Sequence, residues 1–389
     1  MSDSLTSRRM PGTVDIVVVG AGIVGASCAY HLARRGAGVA VLDAYEAAAM
    51  GSSGRSFASL RTQWMDATNI ALSWGGIQTY RDFATLYGVD VGYVPTGYLL
   101  LVPDQQWEQQ LNAVALQRSM GIAVDILTPA EAQKYTPFET GGLGGCTWGH
   151  ADGVVDPHLA TTTYLAMART LGATVHFRHR VTAIDHDANG WHVTTTRGTI
   201  RAKTLVNAAG GWAGAVGEMA GLTVPVQHFR RMIFASAENA VTHPLPMTID
   251  VATGFYLRSE GARLLMGFAN PNEEPGYTTS MDWDWLEKAL ETGVERFPWL
   301  DEVPIDHTAS WAGTYEITPD HRPFLGSMAQ QPDWVNACGF SGHGVMQAPT
   351  VGQVIAEEVI DGRAHSINID SLRIDRLENE SLQMNALVF

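Results

Sequence analysis

Across 389 residues there are 25 Lys and Arg against 40 Asp and Glu, a formal charge of -15, with 46% hydrophobic residues, 40 Gly and 3 Cys. A chain of this length and apolar content carries core for two domains rather than one small module, and it is not a disordered protein. Its acidic surface, with no basic run interleaved with aromatics, excludes nucleic acid as a partner, and no stretch of about 18 apolar residues is present to span a membrane.

In chain order, residues from Met1 to about Gly12 read as a flexible arm; Arg8 and Arg9 precede only the short apolar run Val14 to Val19, too brief for the core of an export signal. VDIVVVGAGIVGASCAYHLARRGAGVAVLD then predicts strand, helix, strand, with Ile23, Ala26, Cys28, Ala29 and Leu32 on the inner helix face and Gly36 to Gly38 ending it. A Gly/Ser-rich loop, MGSSGRS, lets the backbone approach a ligand. Helices are predicted over Thr68 to Tyr87 and Gln105 to Met120, then a glycine-rich stretch, GGLGGCTWGHADGVVDP, then a helix from about His158 to Leu171. ATVHFRHRVTAI through VNAAG alternates as strands returning to the first sheet. Met232 to Ser236, Gly254 to Arg258 and Arg263 to Phe268 read as strands of a second domain, with a helix over Asp282 to Phe297. PDHRPFLG, WVNACGFSGHG and VMQAPTVGQVIAEEVID close the chain as two strands, a glycine turn and a helix. No internal repeat or low-complexity tract occurs.

Gly20, Gly22 and Gly25 form G-x-G-x-x-G directly between a strand and a helix: a tight turn, a bare approach for a pyrophosphate, and close helix-sheet packing. Asp43, ending the second strand, is placed for an adenosine ribose, and an acid there favours a free 2'-hydroxyl, hence FAD or NAD. GFSGHG is a second glycine turn, whose helix carries the apolar stripe Val351, Val354, Ile355 and Val359 and places Pro349 in a tolerant first turn. Its N-terminal dipole would stabilise negative charge; the alternative is an ordinary helix start with His343 solvated. Cys28, Cys146 and Cys338 are odd in number and far apart, which argues against disulfides or a thiolate zinc site and for a reducing, cytoplasmic compartment. His150, His158, His228 and His321 lack metal-ligand spacing and read as solvated or core histidines, so no metal is expected. No G-x-S-x-G elbow or catalytic cysteine signature appears.

On four segments in order, the N-terminal fingerprint, GSSGRSFASLRTQW, VNAAGGWAG, and TPDHRPFLG with GFSGHGVMQAP, the chain resembles the D-amino-acid oxidase superfamily of FAD-dependent amine oxidoreductases, most nearly its sarcosine oxidase and proline dehydrogenase beta-subunit branch. The resemblance implies an α/β fold, α+β overall, in which a Rossmann-type FAD-binding domain is interleaved with a substrate domain built on a large mixed β-sheet. The implied division is 13–90, 145–224 and 312–389 for the discontinuous FAD domain, and 91–144 and 225–311 for the substrate domain. FAD contacts are implied at Gly20, Gly22, Ile23, Val24, Gly25, Asp43 and Ala44; at Ser52, Ser53, Gly54, Arg55 and Arg61; and at Val181, Ala209, Gly210, Trp212 and Gly313. Gly342, His343, Gly344, Val345 and Met346 complete the implied set, beside the flavin's pyrimidine side.

The resemblance also assigns substrate roles. Arg61 matches the arginine that holds the substrate carboxylate, for which a guanidinium fork is suited; the competing reading is a surface arginine paired with a local acid. Tyr256 reads as a pocket tyrosine above the flavin or, equally, as a core aromatic; Tyr315 stands where related enzymes carry an arginine, and Arg322 and His343 are secondary anchors. Met346 and Leu265 fall where sarcosine oxidases carry lysines for carboxylate binding and oxygen activation, and Gly313 falls where they carry the cysteine that tethers FAD. A non-covalent FAD and a dehydrogenase rather than an oxidase are therefore expected. The implied activity is oxidation of the C–N bond of a small anionic amino acid, a secondary amine such as sarcosine or proline or a D-amino acid, by hydride transfer to flavin N5, with later hydrolysis of the imine. A 2-hydroxyacid dehydrogenase on the same fold and a non-catalytic flavoprotein assembly subunit are the alternatives. Oxygen, a quinone or a partner subunit are open as electron acceptor, as is a homo- or hetero-oligomeric state.

Overall fold

The computed structural model describes residues 10–378 and divides the chain into two compact units. Residues 1–9, with Arg8, Arg9 and most of the expected arm, lie outside the described residues. The rest of that arm is held: the Gly12 carbonyl accepts from Arg201 N at 3.0 Å, and Met10 packs on the core of the first unit.

The first unit comprises the chain up to Ser56, Asp156–His228 and the described residues from Glu316 on; the second comprises Phe57–Val155 and Phe229–Tyr315. These bounds differ from the expected ones chiefly in placing 57–90 and 145–155 in the second unit. The reason is pairing: Leu143–Gly149 joins Tyr98–Pro103 antiparallel, and Gly153–Val154 joins Ser59–Leu60.

In the first unit, Thr13–Val19 lies between Val39–Leu42 and Gly198–Asn207, parallel to both. Gln331–Cys338 extends the parallel sheet beyond Gly198–Asn207, Thr174–His176 extends it beyond Val39–Leu42, and Phe324–Met328 is an antiparallel edge. Val181–Asp187 and Gly190–Thr195 add a meander onto the long strand, so this segment does return to the first sheet. All five residues expected on the inner face of the helix Ile23–Arg34 are buried. That helix crosses the last one, Gly344–Asp361, at Ser27 and Gly352, where any Cβ at position 352 would overlap Ser27. Two expectations for the last helix change. Its first turns are buried nearly all round rather than along a stripe, with Val359 only half-buried, and Pro349 is the sixth helical residue, beyond the first turn, because Gly344 is already helical.

The second unit is built on an eight-stranded sheet in the order Trp311–Ile317, Gln227–Ala235, Arg263–Gly267, Phe255–Glu260, Met247–Asp250, Tyr98–Pro103, Leu143–Gly149, Val124–Leu127. LGGCTWG, read in the sequence only as part of a glycine-rich stretch, is one of these strands: Gly144 and Gly145 lie beneath Trp107, which a Cβ at either would displace. The helix expected over Thr68 to Tyr87 is two, Ala67–Arg81 and Phe83–Tyr87, broken at Asp82; the first is capped by Asp66, whose carboxylate accepts from Asn69 N.

Alternation gives this sheet two unlike faces. One buries Leu99, Leu101, Phe234, Phe255, Leu257 and Met266 against Phe297 and Leu300, at roughly 1.5–3 kcal/mol for each large apolar side chain removed from water. The register Leu100↔Ile249↔Tyr256↔Gly267↔Ile233 runs across the other face, and Tyr98 and Arg231, two residues away on their strands, share it.

Candidate active site

Gly20 sits at φ +109 with Ala208 O where a Cβ would be, and a Cβ at Gly25 would overlap Gly20 O, so both positions accept only glycine. A Cβ at Gly22 would meet nothing but Ser53 Oγ at 3.1 Å, which leaves bare main chain open to a ligand. Ile23 N donates to Ser53 Oγ at 3.0 Å, so the GSSGRS loop caps the helix start; Gly54 N donates to Ala49 O at 2.9 Å, and Arg55 is exposed at the end of the short turn Ser53–Arg55. Asp43 accepts from Ala21 N and from Tyr45 N, both at 2.7 Å, which locks its carboxylate beside the turn. Desolvation holds its pKa above the ordinary value against these two amides. Val24 is buried one residue into the helix, and Ala44 follows Asp43 in an exposed turn.

Val181 is buried at the start of its strand, and Ala209, Gly210 and Trp212 form the turn after Asn207, with Trp212 edge-on to Tyr45 at 5.8 Å and tilted over His228 at 4.7 Å. His228 is a core histidine: burial drops it to about 4, so it is neutral at pH 7. This open glycine turn, with an uncapped last helix and a fixed acid, fits a dinucleotide.

The second glycine turn is held by a residue that sequence reasoning missed. The Glu316 carboxylate accepts from Gly339 N at 3.0 Å and from Phe340 N, and its carbonyl accepts from Ser341 N at 2.9 Å, so three successive amides are tied to one residue. Desolvation pushes its carboxyl up to about 7. Gly339, Ser341 and Gly342 all take positive φ, and the last helix starts at Gly344 with neither a side-chain cap nor an acid in its first turn. His343 is buried, which overturns the solvated alternative; Val345 and Met346 are buried in the first turn. Arg322 turns toward Ser371, its Nη2 at 3.3 Å from the hydroxyl.

In the second unit Arg61 is only 4% exposed, so it is not a surface arginine. Its guanidinium stacks 3.9 Å above Trp64 and lies 5.8 Å from the Tyr98 ring. Burial lowers its pKa, while Tyr98, Asp152 and Tyr315 act against that shift. Asp152, also missed, is fully buried: Oδ1 accepts from Thr62 N and Oγ1 at 2.8 and 2.9 Å, Oδ2 from Gln63 Nε2 at 3.1 Å, and burial raises it to about 6. Tyr256 is buried on the face opposite that core cluster, its ring flat over Gly267 and edge-on to Phe57 at 5.2 Å. Gly313 and Tyr315 share a strand and a face, and Tyr315 lies under the Arg231 guanidinium at 5.0 Å. Burial holds Tyr98, Tyr256 and Tyr315 above the ordinary phenol value. All three are therefore protonated donors at neutral pH. Leu265 is buried on the same face.

Among the described residues no group of His, Cys, Asp and Glu is arranged to hold a metal, and no helix is long and apolar enough to cross a membrane. The sequence profile of the DAO family, described as FAD dependent oxidoreductase, matches residues 15–358. Mitochondrial sarcosine dehydrogenase of Mus musculus is 29% identical over 375 residues, covering 92% of this chain and 41% of that protein, so the chain spans about two fifths of that relative's length. The crystal structure of L-proline dehydrogenase from P. horikoshii aligns with a TM-score of 0.88 at 27% identity, covering 96% of this chain and 100% of that one. Glycine oxidase from Geobacillus kaustophilus aligns at 0.81 with 23% identity, over 94% and 99%, a likeness of fold alone. Because the profile runs through both units, the chain belongs to the DAO family of FAD-dependent oxidoreductases.

Proposed function

We propose that this chain oxidises the C–N bond of a small anionic amino acid, a secondary amine such as sarcosine or proline or a D-amino acid. The observation that carries this reading is Arg61, a desolvated guanidinium stacked on Trp64 in the neighbourhood of protonated tyrosines. FAD, when bound, supplies the acceptor for the two electrons that leave the substrate. In the first unit the bare backbone at Gly20 to Gly22, Asp43 and the turn Gly342 to Met346 would hold it, and Gly313 offers no thiol for a covalent tether. Arg61 would take the carboxylate through paired N–H donors, an interaction strengthened where water is scarce. With their phenols protonated, Tyr98, Tyr256 and Tyr315 serve as donors and not as bases. The amine therefore binds neutral: its lone pair closes the C=N bond as hydride leaves the carbon, its proton goes to solvent, and water later splits the imine into carbonyl and amine. Leu265 and Met346, in place of two lysines, favour a dehydrogenase whose electrons pass to a quinone or partner subunit rather than to oxygen. Three buried cysteines without disulfides are in keeping with a cytoplasmic site.

Anaerobic mixing of the yellow holoenzyme with a panel of amino acids and 2-hydroxyacids tests the proposal. Bleaching by one or more amino acids and by no hydroxyacid is expected. Bleaching by hydroxyacids alone would instead assign a 2-hydroxyacid dehydrogenase, and a flavin that nothing bleaches would assign an assembly subunit.

A further inference from the structure

The sheet face that bears the tyrosines carries a second guanidinium. Arg231 shares the face of Ile233, and through Gly267 that of Tyr256. Its Cζ is 5.0 Å from the Tyr315 ring, its Nη1 donates to Arg230 O at 2.9 Å, and its Nε is buried with no hydrogen-bond partner. Among the described residues no carboxylate reaches Arg231. Its neighbours in the same sheet are all matched: Arg230 to Glu273 at 3.0 Å and Asp282 at 3.4 Å, Arg258 to Glu260 at 2.7 Å, Arg263 to Asp306 at 2.9 Å. Burying part of a cation without a counter-ion is costly, and the guanidinium fork is shaped for a planar carboxylate.

Arg231 lies 5.0 Å from the Tyr315 ring, and Arg61, 5.8 Å from the Tyr98 ring, also acts electrostatically on Tyr315, so both cations are within electrostatic reach of one phenol. A substrate whose single carboxylate is taken by Arg61 would leave Arg231 without a counter-ion. We propose that the preferred substrate is an amino dicarboxylate, with Arg61 holding the carboxylate next to the oxidised C–N bond and Arg231 holding the second. This rests on the amino-acid oxidation reading and narrows it to a substrate class.

The test uses two inert thioethers in which sulfur replaces the amine nitrogen: methylthioacetate, with one carboxylate, and thiodiacetate, with two. Their binding to the FAD-loaded protein is measured by calorimetry, which needs no turnover. The diacid is expected to bind roughly tenfold or more tighter than the monoacid; Arg231→Met should erase that advantage while changing methylthioacetate affinity by less than about twofold, and Arg231→Lys should restore part of it. Equal binding of the two thioethers to the unaltered protein overturns the proposal, as does equal weakening of both by Arg231→Met. The lysine variant retains the charge and keeps the test open should the methionine variant lose FAD. If the monoacid binds and the diacid gains nothing, the dicarboxylate assignment alone fails. If neither binds and no amino acid bleaches the flavin, the reading beneath it fails as well.

Discussion

In the first unit the features that fit the cofactor are main chain: the bare turn from Gly20 to Gly22, the amides pinned by Asp43 and Glu316, and the uncapped start of the last helix. In the second unit the features proposed for the substrate are side chains, with Arg61, Tyr98, Arg231, Tyr256 and Tyr315 contributed by separate strands and one loop. The first arrangement tolerates no added atom at Gly20 or Gly25 but reads little of what it binds beyond phosphate, ribose and ring. The second can be altered one side chain at a time, and with it the identity of the ligand. A buried carboxyl group occurs in each: Glu316 organises a turn, and Asp152 fixes the Thr62–Gln63 segment next to Arg61.

That contrast predicts graded effects. Gly25→Val should be the most severe, because its side chain would overlap Gly20 O; FAD retention on gel filtration should be abolished, with a stability loss of about 3 kcal/mol or more. In the FAD-loaded protein, Arg61→Met should weaken binding of a carboxylate ligand by about 2–5 kcal/mol, read from ligand-induced changes in the flavin spectrum. Retained affinity would remove Arg61 from the site.

Asp152 gives a pH signature. Its folded-state pKa, about 6, lies above its ordinary value of 3.8, so the native state holds its proton more tightly than the unfolded chain. Its favourable contribution is complete below the ordinary value and is lost as pH rises through about 6, a decline of about 2–3 kcal/mol in unfolding free energy. Denaturant titrations at acid and neutral pH should show this slope in the unaltered protein and a flatter one in Asp152→Asn. The smallest effect is expected from Tyr256→Phe, which removes one neutral donor: about 0.5–1.5 kcal/mol in substrate affinity, with FAD binding unchanged.

The nucleotide cradle was legible because its parts are local. Strand, glycines, helix and acid fall within one short segment, and each glycine answers a steric demand visible in the motif. Arg61 emerged only through resemblance, since nothing nearby distinguishes it from a surface arginine. Tyr98 left no local trace and Arg231 only a faint one, because sheet register between strands distant in sequence brings them to one face. A hint existed in QHFRRMIFA: two adjacent arginines in an apolar strand must face opposite ways, and one of them must face inward. LGGCTWG was overlooked because its glycines argue against a strand, and the reason for them, the indole of Trp107, belongs to a helix earlier in the chain.

The central claim, that the flavin receives electrons from an amine held through its carboxylate, is tested most directly by comparing acids with their methyl esters. Holoenzyme would be mixed anaerobically with sarcosine, with proline, with D-amino acids and with an amino dicarboxylate, each beside its ester at equal concentration of neutral amine, and flavin bleaching followed in time. The account predicts that at least one acid bleaches the flavin about thirtyfold or more faster than its ester. Equal rates for acid and ester, or no bleaching by any acid, would contradict it.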